Sequence, residues 1–437
     1  MTEQSVNDNT APAATRRDFI KATAATGAAA LLVSGNYAFS QGSDQIRIGL
    51  IGCGGRGTGA AMQALNADPG VVLTAMGDVF AEQIDSHQSA LKGEPSVAAR
   101  VLVPAEHKFV GLDAYRRVLD TNVDVVLLTT PPGFRPLHIK AAVDAGKHIF
   151  AEKPMGTDAA GVRMALEAVR LAKAKKLNFA NGFCFRKNLS HREFYQKIHD
   201  GAIGQVRNVH ATYLTGPVKS MPPASSRPAG MSDVEWQIKN WYNFVWSCGD
   251  GLIEQACHSI DKILWAYNDV PPVKCVATGG RVLPNNEGNI YDHIDVFYEW
   301  ADGSRGTMAQ RQIPCQANDN ADYIMGSKGY ASIEHGWQPA IHTDPPWKYS
   351  GRQRDMYQVE HDELFACIRK GTPMNDGEQM ARSTLAGLMG RMAAYTGEEI
   401  TWEMMQKSQE NIFPPHLHWD GNLTIAPMAI PGKYQFA

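Results

Sequence analysis

IRIGLIGCGGRGTGA, residues 46–60, decides the fold. Gln45 to Ile51 is a short β-branched apolar run, the pattern of a parallel strand buried on both faces. It runs straight into Gly52-Cys53-Gly54-Gly55-Arg56-Gly57, which spaces glycines at 52, 54 and 57 as G-x-G-x-x-G, and Thr58 to Leu65 then reads as a helix. The spacing serves close backbone approach, because a Cβ on this loop would hold a pyrophosphate away from the helix N-terminus. A second apolar run, Val71 to Met76, ends at Gly77-Asp78, and Asp78 stands 21 residues past Gly57. A carboxylate there can hold a ribose 2′-hydroxyl and repel a 2′-phosphate, which favours NAD over NADP. The expected cofactor contacts on this half are Gly52, Gly54, Gly55, Arg56, Gly57 and Asp78.

The alternation continues outward. Val123 to Thr130 is a third apolar strand ending in TTPPGFRP, Leu137 to Ala145 is a helix closed by Gly146, and His148 to Ala151 is a further strand. Repeated β-α order implies a right-handed parallel sheet with its crevice at the strands' carboxyl ends. Thr130, Pro131, Glu152 and Lys153 stand at such ends and join the expected cofactor contacts.

The chain has 437 residues, enough for two domains. Lys and Arg total 42 against 45 Asp and Glu, so no strong field points to nucleic acid or an anionic membrane. Seven cysteines, at 53, 184, 248, 257, 275, 315 and 367, form no Cys-x-x-Cys pair, which argues against a zinc knuckle or a dense disulfide framework. A single bridge stays open on sequence alone.

Ahead of the first strand, Thr15-Arg16-Arg17-Asp18-Phe19-Ile20-Lys21 precedes the small, apolar run ATAATGAAALLVSG. Paired arginines followed by Phe-Ile-Lys resemble a twin-arginine export signal, and Ala38-Phe39-Ser40 supplies small residues for cleavage before Gln41. Left uncleaved, the segment would be a membrane anchor. The expected division is a signal at 1–40, a dinucleotide-binding domain at 44–183, a substrate and oligomerisation domain at 184–405 and a C-terminal extension at 406–437.

AGKHIFAEKPMGTD (145–158), with the glycine loop upstream, resembles the Gfo/Idh/MocA oxidoreductases. HDGAIGQVRNVHATY (199–213) and NDGEQMARSTLAGLMGRMAAYTGEEITWEMM (375–405) resemble them too. The family resemblance implies an α/β chain: a Rossmann domain, then an α/β domain with a mainly antiparallel open sheet. Strand-like runs at 292–300 and 304–313 joined by Ala-Asp-Gly, and one further strand at 323–333 around Gly-Ser-Lys-Gly, agree with it independently. The resemblance also implies that Lys153 points at a substrate hydroxyl.

SCGDGLIEQACHSIDKILWA (247–266) has a helical apolar pattern in which Glu254 and His258, four apart, share a face and can touch. A histidine is the usual acid–base group near neutral pH, and a carboxylate beside it can fix its tautomer. The family usually has Asp-x-x-x-His here, whereas this chain has Glu254-x-x-x-His258. The catalytic set is therefore His258 as acid–base group or hydroxyl contact, Lys153 as its partner and Glu254 as orienting group or alternative base, with Asp250 as a helix cap. Glu254, His258 and nearby acids lack a further spaced His or Cys, so no metal is assigned. His416 and His418 are taken as part of a short exposed polar tail.

For the substrate, KNWYNFVW (239–246) offers Trp241, Tyr242 and Trp246, whose faces suit the C–H faces of a sugar; core packing explains any one of them equally well. Asp261 and Arg186 are further expected substrate contacts. The Pro/Ser-rich stretch 215–236 reads as an irregular binding wall.

An exported protein finds no free nicotinamide outside, so NAD must be loaded before export and kept. Three economies are open: oxidise one sugar and reduce another, oxidise transiently and return the hydride, or pass electrons onward. The last, as in glycoside 3-dehydrogenases, resembles this chain most. The expectation is an exported, periplasmic carbohydrate oxidoreductase with tightly bound NAD, acting on a ring hydroxyl such as C3, and self-associating through its open sheet. An NAD-dependent glycosidase and a non-catalytic sugar or NAD sensor are the alternatives.

Overall fold

The computed structural model describes residues 45–315, 317–334 and 338–437. The signal-like segment falls outside them. Six parallel strands form the first sheet: β1 (Ile46–Ile51), β2 (Val71–Asp78), β3 (Lys108–Val110), β4 (Val125–Leu128), β5 (His148–Ala151) and β6 (Phe179–Asn181). Their order is β3-β2-β1-β4-β5-β6, which reverses direction between β1 and β4. Loops leaving these two neighbours part to opposite faces, and that parting opens the crevice foreseen from the alternation. β4 and β5 are buried along their whole length, as sandwiching between helices demands.

The second sheet comprises β7 (Val206–Thr215), β8 (Lys274–Gly280), β9 (His293–Glu299), β10 (Arg305–Gln312), β11 (Asp322–Gly326), β12 (Tyr330–Ile333), β13 (Pro339–His342), β14 (Trp347–Lys348) and β15 (Ile400–Thr401). Its order is β14-β13-β12-β11-β7-β10-β9-β8-β15. Every pair is antiparallel except β10 with β7. The fold is α/β, a Rossmann sheet followed by a mainly antiparallel one. A single apolar cluster runs from Val126 and Ile149 under the first sheet, past Leu388 and Met392 of the helix Gly377–Thr396, to Val296 and Ile324 of the second.

Three local expectations are corrected. The stretch 323–333 is a hairpin, β11 and β12, closed by the Gly326 N–H on the Gly329 carbonyl at 2.8 Å. The helix read over 247–266 is broken into Val245–Cys248, Gly251–Glu254 and Cys257–Ala266. The first break lies at Gly249 and Asp250, both at positive φ (84° and 93°). Asp250 holds that conformation by accepting from Gly251 N–H (2.5 Å), Tyr291 N–H (2.9 Å) and the Tyr395 hydroxyl (2.5 Å). It caps the short helix Gly251–Glu254, as read. The C-terminal extension is not merely a polar tail. His416 and His418 are exposed, but Ile412, Phe413, Leu417 and Trp419 pack on a cluster containing Phe80 and Phe134.

Candidate active site

A cleft of about 720 Å³ opens at the carboxyl ends of β1, β2, β4 and β5 and runs beneath the second sheet. Its nucleotide end is shaped by missing side chains. A Cβ on Gly57 would lie 2.1 Å from the Gly52 carbonyl oxygen, so only glycine lets the helix start against the loop. A Cβ on Gly54 or Gly55 would meet nothing within 4 Å, which leaves the approach to the helix Gly55–Ala67 open. Gly54, its N-cap, brings no capping side chain, so the leading N–H groups are left for a ligand. Asp78 closes this end: Oδ2 accepts from Cys53 N–H (2.6 Å) and Oδ1 from Phe80 N–H (3.0 Å). Each oxygen keeps a lone pair for a ribose hydroxyl. Burial raises the Asp78 pKa against these backbone hydrogen bonds. These residues fit a dinucleotide: open glycines for its pyrophosphate and an anchored carboxylate for its ribose.

Thr130, Pro131, Glu152 and Lys153 line the same cleft. Thr130 Oγ1 lies 3.0 Å from His138 Nδ1, and burial lowers the His138 pKa to about 3, helped by the Arg135 charge. Arg56 also borders the cleft, yet its guanidinium is shared between the Glu152 and Glu360 carboxylates and lies 4.9 Å from the Tyr357 ring centroid. It ties the glycine loop to the helix Met356–Lys370.

At the reacting end, Lys153 Nζ donates to the backbone carbonyl of Glu254 and to Glu254 Oε1 at 3.1 Å. The ammonium and carboxylate are only 12% and 11% exposed. Burial disfavours the ammonium, but Glu254 and other nearby groups, Glu152 among them, outweigh it and raise the Lys153 pKa above the ordinary lysine value. His258 is the converse case. Burial, with the charges of Lys153, Lys262 and Arg56, pulls its pKa well below 6.5. Its ring meets Phe183 and Phe185 edge-on, and Nδ1 is buried without a hydrogen-bond partner. The expected Glu254–His258 contact is thus replaced by Glu254–Lys153. The chain turns at Gln255 between the two short helices, which removes the shared face. The site pairs a fixed cation with a neutral imidazole.

Of the expected substrate contacts, Trp241 lines the cleft. The other four lie off its wall. Arg186 grips Asp261 through two hydrogen bonds (2.8 and 2.9 Å) and Asp269 through two more, and stacks on Trp265 at 4.6 Å. Asp261 also accepts from Ser383 at 2.6 Å. Trp246 donates to Gln237 (2.9 Å) in an apolar cluster, and Tyr242 accepts from Gln312 (2.6 Å). These are internal braces, satisfied before any ligand arrives. The sequence reading missed Tyr213, Gln255, Lys219, Lys239 and Asn320, all on the cleft wall. Tyr213 donates to Gln255 at 2.7 Å. It sits inside the family-like stretch 199–213; Lys219, Lys239 and Gln255 likewise fall in stretches already singled out (215–236, 239–246 and 247–266), and only Asn320 had no signal.

Residues 46–183 match the family model described as an oxidoreductase family with an NAD-binding Rossmann fold, and residues 14–33 match that of the twin-arginine translocation signal. Inositol 2-dehydrogenase of Rhizobium meliloti (strain 1021) is 25% identical over 347 residues, 76% of this chain and 92% of that protein. A glycosyl hydrolase family 109 protein of Streptomyces coelicolor is 29% identical over 172 residues, 39% of this chain and 34% of that one. The crystal structure of aldose-aldose oxidoreductase from Caulobacter crescentus, complexed with glycerol, shares the fold with a TM-score of 0.64 at 18% identity, covering 82% of this chain and 99% of that one. With its glycine loop, its Rossmann strand order and Glu152-Lys153-Pro154 at the end of β5, the stretch 46–183 is the NAD-binding Rossmann part of the Gfo/Idh/MocA oxidoreductase family.

Proposed function

We propose that the protein is an exported carbohydrate oxidoreductase that keeps NAD bound and oxidises a ring hydroxyl of a sugar or glycoside. The observation that carries this reading is the Lys153–Glu254 ion pair beside a neutral His258, in the cleft that begins at the glycine loop. A dinucleotide held by the open glycines and Asp78 would supply a nicotinamide as acceptor for the carbinol hydride. His258, uncharged at neutral pH, accepts the hydroxyl proton. Lys153, always charged, donates a hydrogen bond to the substrate oxygen and stabilises the negative charge that builds there before the carbonyl forms. Glu254 holds the ammonium in place. Trp241 offers a face for the sugar ring.

NAD is favoured over NADP because Asp78 and Glu82 line the adenosine end of the cleft, where a 2′-phosphate would meet carboxylates. Retention of the cofactor is supported by the C-terminal strap, whose Trp419 packs edge-on against Phe80 at 5.5 Å, behind the cleft wall. We place the mature protein in the periplasm with residues 1–40 removed, a reading supported by the match of residues 14–33 to a twin-arginine signal. The domain limits 44–183, 184–405 and 406–437 are retained as our division. Val276, Phe297, Met325 and Tyr330 are exposed on the second sheet, which supports self-association there.

The test is to denature purified mature protein, identify the nucleotide released, and follow reduced-nicotinamide absorbance of the native protein across a panel of sugars and glycosides. Reduction by one member, with a keto-sugar product, supports the reading. Cleavage of a glycoside with no net cofactor change moves the protein to the transient-oxidation chemistry; sugar binding with neither change makes it a sensor.

A further inference from the structure

Next to the cleft lies a second cavity of about 160 Å³, and Lys219 lines both. Among the described residues its wall includes Arg281, Asn243, Asn285, Tyr242 and Gln312 and no aspartate or glutamate. Lys219 Nζ donates to the Lys239 carbonyl at 2.8 Å, a neutral partner. Arg281 likewise spends Nε on the Ile290 carbonyl (2.7 Å) and Nη1 on the Leu283 carbonyl (3.1 Å). The carboxylate it pairs with, Asp292, stands 3.9 Å away and accepts from the Val282 and Leu283 N–H groups. Asn243 is 2% exposed, and its Nδ2 is buried with no hydrogen-bond partner; Asn285 Nδ2 is unpartnered as well. Burial lowers the pKa of both cations, and the Lys239 charge adds to the effect at Lys219.

Two cations whose nearest hydrogen-bond partners are neutral backbone carbonyls, with Asp292 at the 3.9 Å limit of pairing and outside the wall, stand beside two amide donors without an acceptor and make a wall rich in donors. Buried donors left unmade are costly, and a charged acceptor returns the most. The cavity is well below the ~300–1,000 Å³ of a site for a whole small-molecule ligand, so it suits one substituent. The cofactor's phosphates have their own place at the glycine loop. We propose that this cavity is a substrate subsite for an anionic substituent, a carboxylate or a sulfate ester, on the sugar whose ring hydroxyl is oxidised in the cleft. The inference rests on the sugar-oxidoreductase reading above and adds to it the substrate class: acidic carbohydrates.

The test is calorimetric binding of matched probes to the NAD-loaded mature enzyme: methyl glucoside against methyl glucuronide, and glucose against glucose 6-sulfate. Hydride transfer is followed in parallel. We expect the acidic member of at least one pair to bind about tenfold tighter or more. R281M and K219M should each collapse that ratio, while R281K should keep most of it. The pair that shows the preference separates carboxylate from sulfate. Equal binding within both pairs overturns the proposal, as does a preference that survives both R281M and K219M. Loss of the ratio in R281K as fully as in R281M would assign Arg281 to bracing loops, and it too overturns the proposal. Cofactor reduction by neutral and acidic sugars alike would leave the oxidoreductase standing without the subsite. Anion preference with no reduction by any sugar would do the reverse.

Discussion

At the nucleotide end of the cleft the working atoms belong to the backbone: the open N–H groups beyond Gly54, the close approach that Gly57 alone permits, and a carboxylate, Asp78, pinned by two more N–H groups. At the reacting end they belong to side chains whose charge is set by neighbours. Lys153 keeps its proton because Glu254 stands beside it, and His258 stays neutral because cations and burial surround it. The first kind of site is specified by which atoms are missing, the second by which charges are near. Backbone sites are therefore written locally in the chain, and charge-tuned sites only in three dimensions.

The contrast can be broken most sharply at Lys153. K153M should lower the rate of sugar oxidation by about 10²–10⁴-fold while the retained nucleotide stays in stoichiometric amount, measured after denaturation. Loss of the nucleotide along with activity would show that the two ends are not separable. Next in size is Asp261, which the structure makes a strut. D261A leaves Arg186 poorly paired in a buried setting and should cost about 3 kcal/mol of stability, read as a shifted denaturant midpoint at unchanged m-value. A raised KM with unaltered stability would return Asp261 to the substrate.

A pH profile comes third. His258 has its pKa below 6.5, so it is deprotonated and ready as a base across neutral pH. The acid limb of kcat/KM should then fall below pH 6.5, since protonation removes the base only there. A limb at or above 6.5 would contradict the neutral-imidazole account. The smallest effect is at Trp241: W241A should raise KM for the sugar by about three- to tenfold, matching the ~0.5–1.5 kcal/mol of an aromatic contact, with little change in kcat.

How much of this could be read in the chain follows the same divide. β1, the glycine loop, β2 and Asp78 lie within a span of some thirty residues, and the sequence pattern placed all of them. Lys153 was legible because Glu-Lys-Pro ends a strand whose neighbours were already placed. Glu254 and His258 were named but wrongly joined. Helical spacing implied contact, whereas the positive φ of Gly249 and Asp250 and the turn at Gln255 divide the helix. Arg186 and Asp261 looked like ligand-binding polar residues in apolar surroundings. Their partners, each other, Asp269 and Ser383, lie as much as 122 residues apart, beyond the reach of local pattern. The C-terminal strap was missed for a related reason: its apolar residues lack any period and gain meaning only against Phe80 and Phe134.

The most direct test of the central claim follows one hydrogen atom. Purified mature protein, carrying only the nucleotide it retained, is incubated with a sugar deuterated at its ring carbinol carbons, then denatured, and the nucleotide is weighed and sequenced for label by fragmentation. The account predicts deuterium on the nicotinamide ring in wild type and its absence in K153M at equal nucleotide content. Turnover of the sugar with no label on the nicotinamide, or a protein that retains no nucleotide, would contradict it.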